Sequence, residues 1–175
     1  MTATGGGRPR AVEVRSATSA DHRAVLVLLD AAALPMAGLS PTLTDFYVAE
    51  DHGRVMGAIG LERYGADALL RSAVVDPSAR DTGVGVALVE RVLDHARERG
   101  IRAVYLLTTT AERYFPRFGF DRITREEVPD AVKASVEFRE VCPASAVVMR
   151  KILIGDLGTS AASLDAGGPV HRDTR

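Results

Sequence analysis

Residues 70–85, Leu-Arg-Ser-Ala-Val-Val-Asp-Pro-Ser-Ala-Arg-Asp-Thr-Gly-Val-Gly, constrain the fold more than any other stretch. An apolar run that stops at Val75 predicts a strand, and Asp76–Pro77 predicts a turn. Val84, Leu88, Val89, Val92, Leu93 and Ala96 then recur at helical spacing, with Glu90, Arg91, Asp94, Arg97 and Glu98 on the opposite face. Gly100 follows where a helix end favours a left-handed residue. A helix entered from a strand through Gly83 and Gly85 exposes its first-turn N–H groups beside residues that lack side chains. Such a turn can hold a phosphate or a pyrophosphate, and Arg80 brings a charged fork to the same side. A dinucleotide fingerprint is excluded because Leu88 stands where a third glycine or alanine is needed, and a P-loop is excluded because Gly-Lys-Ser/Thr is absent. The bland alternative is a strand-to-helix turn that uses its glycines for geometry alone. What else the chain contains decides between them.

Composition narrows the class. A chain of 175 residues suits one domain with a proper core, and 46% apolar with 26% charged residues is the balance of a soluble globular protein. A net charge of −1 gives no footprint for nucleic acid or an anionic membrane. Cys142 is the single cysteine, so neither a disulfide framework nor a cysteine metal site is expected. His22, His52, His95 and His171 have no ligand spacing, predict surface positions, and add no metal site. Met1–Arg10 lacks an apolar signal core, and Ala31–Leu39 is short and broken by Pro35. A cytoplasmic location is the expectation.

In chain order, residues 1–10 predict a disordered N-terminus, 11–154 one folded domain, and 155–175 a disordered tail rich in Gly, Ser, Ala and Asp. Within the domain, Ala11–Arg15 predicts a strand and Ser19–Asp21 the cap of a helix to about Ala33. Pro35–Pro41 is a loop, either a substrate lid or a plain connector. Phe46–Ala49, Val55–Leu61 and Leu69–Val75 predict a three-stranded meander, followed by the long helix and a strand at Ala103–Leu107. Thr110–Phe118 predicts a short helix closed by Gly119, Glu126–Glu140 another helix, and Ala146–Leu153 the last strand. The fold class is α/β: a mixed central sheet flanked by helices.

That element order, together with Arg80-x-x-Gly83-x-Gly85 after a strand and Asp-Pro, resembles the GNAT superfamily of N-acetyltransferases over Val12–Leu153. Residues 105–120, ending in Phe-Gly-Phe, are similar to the superfamily's later strand, short helix and closing Gly-Phe. In that register Thr108 falls where an asparagine is common, and Phe115 where the family usually carries a tyrosine. The Leu-Thr-Thr-Thr-Ala segment, Val128–Pro129, Ser135, Cys142–Ala146 and Met149–Lys151 resemble a narrower group. These are N-acetyltransferases of free amino acids, and within them small ArsN-type enzymes associated with arsenic-resistance operons.

The resemblance implies acetyl transfer from acetyl-CoA to an amine in a ternary complex, with the acceptor a small molecule, an amino acid or its analogue. A homodimer is compatible with the sequence. The resemblance further implies cofactor contacts from the backbone of Ala73, Val74 and Val75, from Arg80, Asp81, Thr82, Gly83, Val84 and Gly85, and from Phe115. If the strand is distorted near Ala73, its edge pairs with the pantetheine arm and an N–H near Val74 or Val75 polarises the acetyl carbonyl. Glu62, at the end of the neighbouring apolar run, is the candidate base; the competing reading is a strand-end carboxylate paired with Arg63 or Arg71.

A phenyl ring cannot donate a proton, so Phe115 leaves the acid unfilled. Tyr114 is adjacent but would point elsewhere on a helix, so either a water or a hydroxyl of Thr108, Thr109 or Thr110 helps, Thr108 being the candidate carried forward, or no acid is used. Arg71, beside Ser72 on the cofactor strand, is the candidate partner of a substrate carboxylate, against a surface or ion-paired role in an arginine-rich chain. Two other functions stay open: a catalytically silent coenzyme A sensor, motivated by Phe115, and a protein N-terminal or lysine acetyltransferase, which would need an open peptide groove.

Overall fold

A computed structural model describes residues 12–153; the expectations for residues 1–10 and 155–175 lie outside the described residues. The strands are β1 (Glu13–Ser16), β2 (Phe46–Asp51), β3 (Arg54–Tyr64), β4 (Asp67–Val75), β5 (Ala103–Thr108), β6 (Asp121–Ile123) and β7 (Val147–Ile152). They form one seven-stranded sheet in the order β1-β2-β3-β4-β5-β7-β6. The helices are α1 (His22–Ala31), α2 (Val84–Glu98) and the single turn α3 (Asp130–Lys133). The expected mixed sheet with flanking helices is what forms.

Alternation along β2 and β3 explains why both read as unbroken apolar runs. Phe46, Val48 and Ala58 share a cluster with Val25, Leu28 and Leu29 of α1. Tyr47, Ala49, Ile59 and Leu61 belong to the cluster that holds Leu88, Val92 and Ala96 of α2. Successive side chains point to opposite faces, and each face is covered by a helix. Gly60 is required by a close approach, because an added Cβ would fall on the buried Phe46 ring. Gly60→Ala is expected to cost about 1–3 kcal/mol by overpacking, read as a lower urea midpoint with an unchanged m-value.

Helix α2 ends as its sequence predicts. Gly100 takes φ 70°, the Ile101 N–H donates to the Ala96 carbonyl at 2.9 Å, and the Gly100 N–H to the Arg97 carbonyl at 3.0 Å. His95 corrects the expectation of a surface histidine. It lies on the same face as Leu88 and Val92, is 7% exposed, and has its Nε2 2.7 Å from Asp45 Oδ1. Burial alone would raise the Asp45 pKa, but the His95 hydrogen bond and Arg63 hold it below the usual carboxylate value.

Two local expectations fail for identifiable reasons, and one strand was not expected at all. Thr110–Phe118 is not a helix; only Phe115–Phe118 makes a tight 3₁₀ turn. Pro116 has no N–H for the preceding turn, and Thr108 Oγ1 captures the Ala111 N–H at 2.9 Å. Glu126–Glu140 breaks into α3 and a wide π-type turn at Glu137–Val141, with Ser135 Oγ accepting the Phe138 N–H between them. The short edge strand β6 carries no clear period in sequence and is held by pairing with β7.

Strands β4 and β5 position the site. They pair in parallel only from Asp67–Ala103 to Leu69–Tyr105. Beyond that point, among the described residues, Leu70–Val75 has no sheet partner on the β5 side. On the β3 side the register shifts between Ala58–Val74 and Gly60–Arg71, leaving one extra residue on β4. Ser72 there takes φ 56°. This is a β-bulge, at Ser72–Ala73, where the resemblance implied one.

Candidate active site

The splay of β4 from β5 opens a cleft of about 340 Å³, in the size range of small-molecule sites. One wall is Leu70–Val75, the other Leu106–Thr108, and Arg80, Gly85 and Tyr114 border it beside the start of α2. Ala32, Leu34 and Pro35 close the β4 side, with Glu137 and Cys142 also in the lining.

The turn before α2 is built for close backbone approach. Asp81 has φ 62° and Gly83 φ 90°, so the chain swings its N–H groups toward one side before the helix begins. Asp81, Thr82 and Gly83 form this turn and Val84 opens α2, none of them lining the cleft; Thr82 Oγ1 donates to the Ala79 carbonyl, and the Val84 side chain is buried in the core. An added Cβ at Gly85 would lie 2.8 Å from Tyr114 Oη.

That contact corrects the expectation for Tyr114. Because the segment is not helical before Phe115, both Tyr114 and Phe115 reach the cleft. Phe115 is anchored in the core at 5.6 Å from the Phe120 ring, and the Tyr114 hydroxyl lies over the first turn of α2. Burial raises the Tyr114 pKa, so the phenol stays protonated at neutral pH and can donate. Thr108 also lines the cleft, with its Oγ1 accepting the Ala111 N–H.

Glu62 is not in the lining. Its Oε1 binds Arg71 Nη1, and its Oε2 accepts from the Tyr64 hydroxyl at 2.7 Å. Of the two partners expected for it, Arg71 is the one found; Arg63 pairs with Asp45 at 2.9 Å. Arg71 borders the cleft with its side chain fully enclosed. Its Nη2 donates to the Ala37 carbonyl at 2.7 Å, its Nε to Ser72 Oγ at 3.3 Å, and Glu137 Oε1 lies 3.4 Å from Nε. Of the competing readings for Arg71, the surface one is wrong and the ion-paired one is what forms, with Glu62 and Glu137 as partners; Arg71 also ties down the loop over Ala37.

Sequence reasoning missed Glu137. It is 5% exposed, and burial, opposed by Arg71 and assisted by Glu62, pushes its pKa up to about 7. The one signal was a carboxylate between Val136 and Phe138; the wide turn that aims it inward left no trace in the pattern. Burial and the nearby Glu137 also push the Cys142 thiol up, which disfavours its thiolate. Among the described residues no cluster of potential metal ligands occurs, and no helix is long and apolar enough to cross a membrane.

The pattern that defines the acetyltransferase (GNAT) family matches residues 18–120. The chain belongs to that family. An amino-acid acetyltransferase of Mycobacterium tuberculosis is 34% identical over 139 residues, covering 74% of this chain and 76% of its own length. The crystal structure of Rv2747 from Mycobacterium tuberculosis in complex with CoA and NLQ has a TM-score of 0.70 at 25% identity, over 81% of this chain and 99% of that one. N-acetylglutamate synthase from Neisseria gonorrhoeae, complexed with coenzyme A and N-acetyl-glutamate, shares the fold with a TM-score of 0.71 at 21% identity. This chain covers 36% of that longer protein.

The chain is thus a GNAT acetyltransferase, with acetyl-CoA as its co-substrate. Its own residues fit that group: an open β4 edge beside the bulge, a turn stripped of side chains at Gly83 and Gly85, and Arg80 in the lining. Arg80→Ala is expected to weaken coenzyme A binding by about 1.5–3 kcal/mol, roughly 10- to 100-fold in Kd, with an unchanged melting temperature.

Proposed function

We propose that this acetyltransferase acts on the α-amino group of a free amino acid or an analogue that keeps both the amino and carboxylate groups. The observation that carries this reading is the adjacent charge pair in the lining of the cleft. Arg71 Nε and Glu137 Oε1 lie 3.4 Å apart, a cation beside an anion, which complements the neighbouring carboxylate and ammonium of a zwitterion. Ser72 stands next to Arg71 as a hydroxyl partner for the carboxylate. A protein N-terminus or a lysine side chain would need an open groove here. Instead, Arg71 holds the 35–41 loop through Ala37, and that favours a small acceptor.

In this reading the exposed β4 edge from Ala73 to Val75 pairs with the pantetheine arm, and an N–H at Val74 or Val75 faces the thioester carbonyl. The turn at Asp81–Gly85, with Arg80, receives the diphosphate. Thr108 supplies a hydroxyl on the side of the departing sulfur and Tyr114 one beside the diphosphate turn, while Phe115 forms an apolar wall. A coenzyme A thiol is acidic enough to leave as thiolate beside water or the Thr108 hydroxyl, which answers the motive for a catalytically silent sensor, since that motive rested on Phe115 alone. The name of the tuberculosis relative and the ArsN-type resemblance point to the same substrate class.

The test is thiol release from acetyl-CoA with each of the twenty standard L-amino acids, with mass detection of the product. Turnover with a subset and a product heavier by one acetyl group is the expected result. No turnover with any of them, together with acetylation of a peptide N-terminus or lysine, would overturn the reading.

A further inference from the structure

We propose that Glu137 is the catalytic base: its carboxylate takes the proton that the acceptor amine loses as it attacks the thioester. The inference rests on the small-amine reading above and assigns a role that the family pattern over residues 18–120 does not reach.

The placement is specific. Glu137 opens the wide turn Glu137–Val141, lines the cleft, and is all but closed to bulk solvent. It stands beside Arg71 in the middle of β4, which lies before the bulge in the chain, whereas Arg80 and the first turn of α2 lie after it. An amine held there therefore lies between the carboxylate and the thioester. The groups facing Glu137 are Arg71 from β4, Glu62 from β3 beyond it, Tyr64 bonded to Glu62, and Cys142 at the end of its own segment. Glu62 is occupied by Arg71 and Tyr64 and does not line the cleft, so Glu137 is the carboxylate in reach of substrate.

The step balances without another reagent. The bound ammonium first loses one proton through Glu137 to water; the neutral nitrogen then forms the N–C bond, the C–S bond breaks with its electron pair on sulfur, and the nitrogen's second proton passes to a Glu137 oxygen. From there it leaves to water or to the thiolate, which regenerates the carboxylate. A base that titrates near the working pH is the efficient kind, and burial with Glu62 nearby pushes Glu137 up to about 7. Arg71 limits that rise and orients the carboxylate.

The test uses the full chain and whichever amino acid supports turnover. Glu137→Gln should lower kcat roughly 100-fold or more, leave KM for acetyl-CoA within about threefold, and remove the rise of kcat/KM through about pH 7 seen in the unaltered protein. Glu137→Asp should keep that rise at reduced kcat. A Glu137→Gln protein that keeps more than a tenth of kcat and the same acid limb would overturn the proposal. So would failure of both variants to fold, which would make the residue structural. If the unaltered chain acetylates no amino acid, the small-amine reading fails first, and the two failures are told apart.

Discussion

Gly85→Val is expected to weaken coenzyme A binding roughly 100-fold, about 2.7 kcal/mol, while leaving the fold intact. The residue sits in the first turn of α2, where helical backbone is already adopted and φ is not positive. Valine there costs no backbone strain and relieves the entropy that glycine loses in a helix. Its Cβ, however, would lie 2.8 Å from Tyr114 Oη, and the two methyl groups would occupy the face across which the backbone N–H groups meet an anion. Tyr114 can swing aside because the contact is the far end of a side chain. The cradle cannot be re-opened, so the loss falls on binding and not on stability. An unchanged Kd would show that the diphosphate does not rest on this turn.

Arg71→Met should cost about 3–5 kcal/mol at pH 8, on the order of 10 °C in melting temperature for a domain of this size. The guanidinium is enclosed and joins Glu62, Glu137, Ser72 and the Ala37 carbonyl. Removing it leaves two carboxylates facing each other in a low-dielectric setting, and it frees the 35–41 loop. The pH dependence has a definite sign. Glu137 has a folded-state pKa raised from 4.5 to about 7, so the stability linked to its protonated form is present below about 4.5 and lost as pH rises through about 7. Without Arg71 the ionised form is worse still, so the penalty should shrink at pH 5 and grow at pH 8. Arg71→Met combined with Glu137→Gln should recover part of the loss at pH 8. A melting temperature that falls equally at both pH values, with no recovery in the double variant, would contradict the pairing.

The strand-turn-helix at residues 70–100 was legible because each signal in it is local: an apolar run, Asp-Pro, two glycines, a periodic face and a closing glycine. The bulge at Ser72–Ala73 was reached only through resemblance, since positive φ at a serine has no compositional mark. Tyr114 was misplaced because a helix was assumed through Pro116, and the direction of a side chain follows from backbone that the pattern did not determine. Glu137 and His95 share one cause. Each is polar in a context that reads as solvated, yet each is buried by a partner distant in sequence: Arg71 for the first, Asp45 for the second. Such pairings are tertiary facts, absent from any window of neighbouring residues.

The account depends on the splayed edge of β4 and the turn after it receiving coenzyme A, and calorimetric titration reads that directly. The unaltered chain should bind coenzyme A with a stoichiometry of one per chain, and Gly85→Val and Arg80→Ala should weaken it without lowering the melting temperature. No binding heat at several temperatures, or equal affinity in all three proteins, would place the ligand elsewhere and remove the basis for the proposed chemistry.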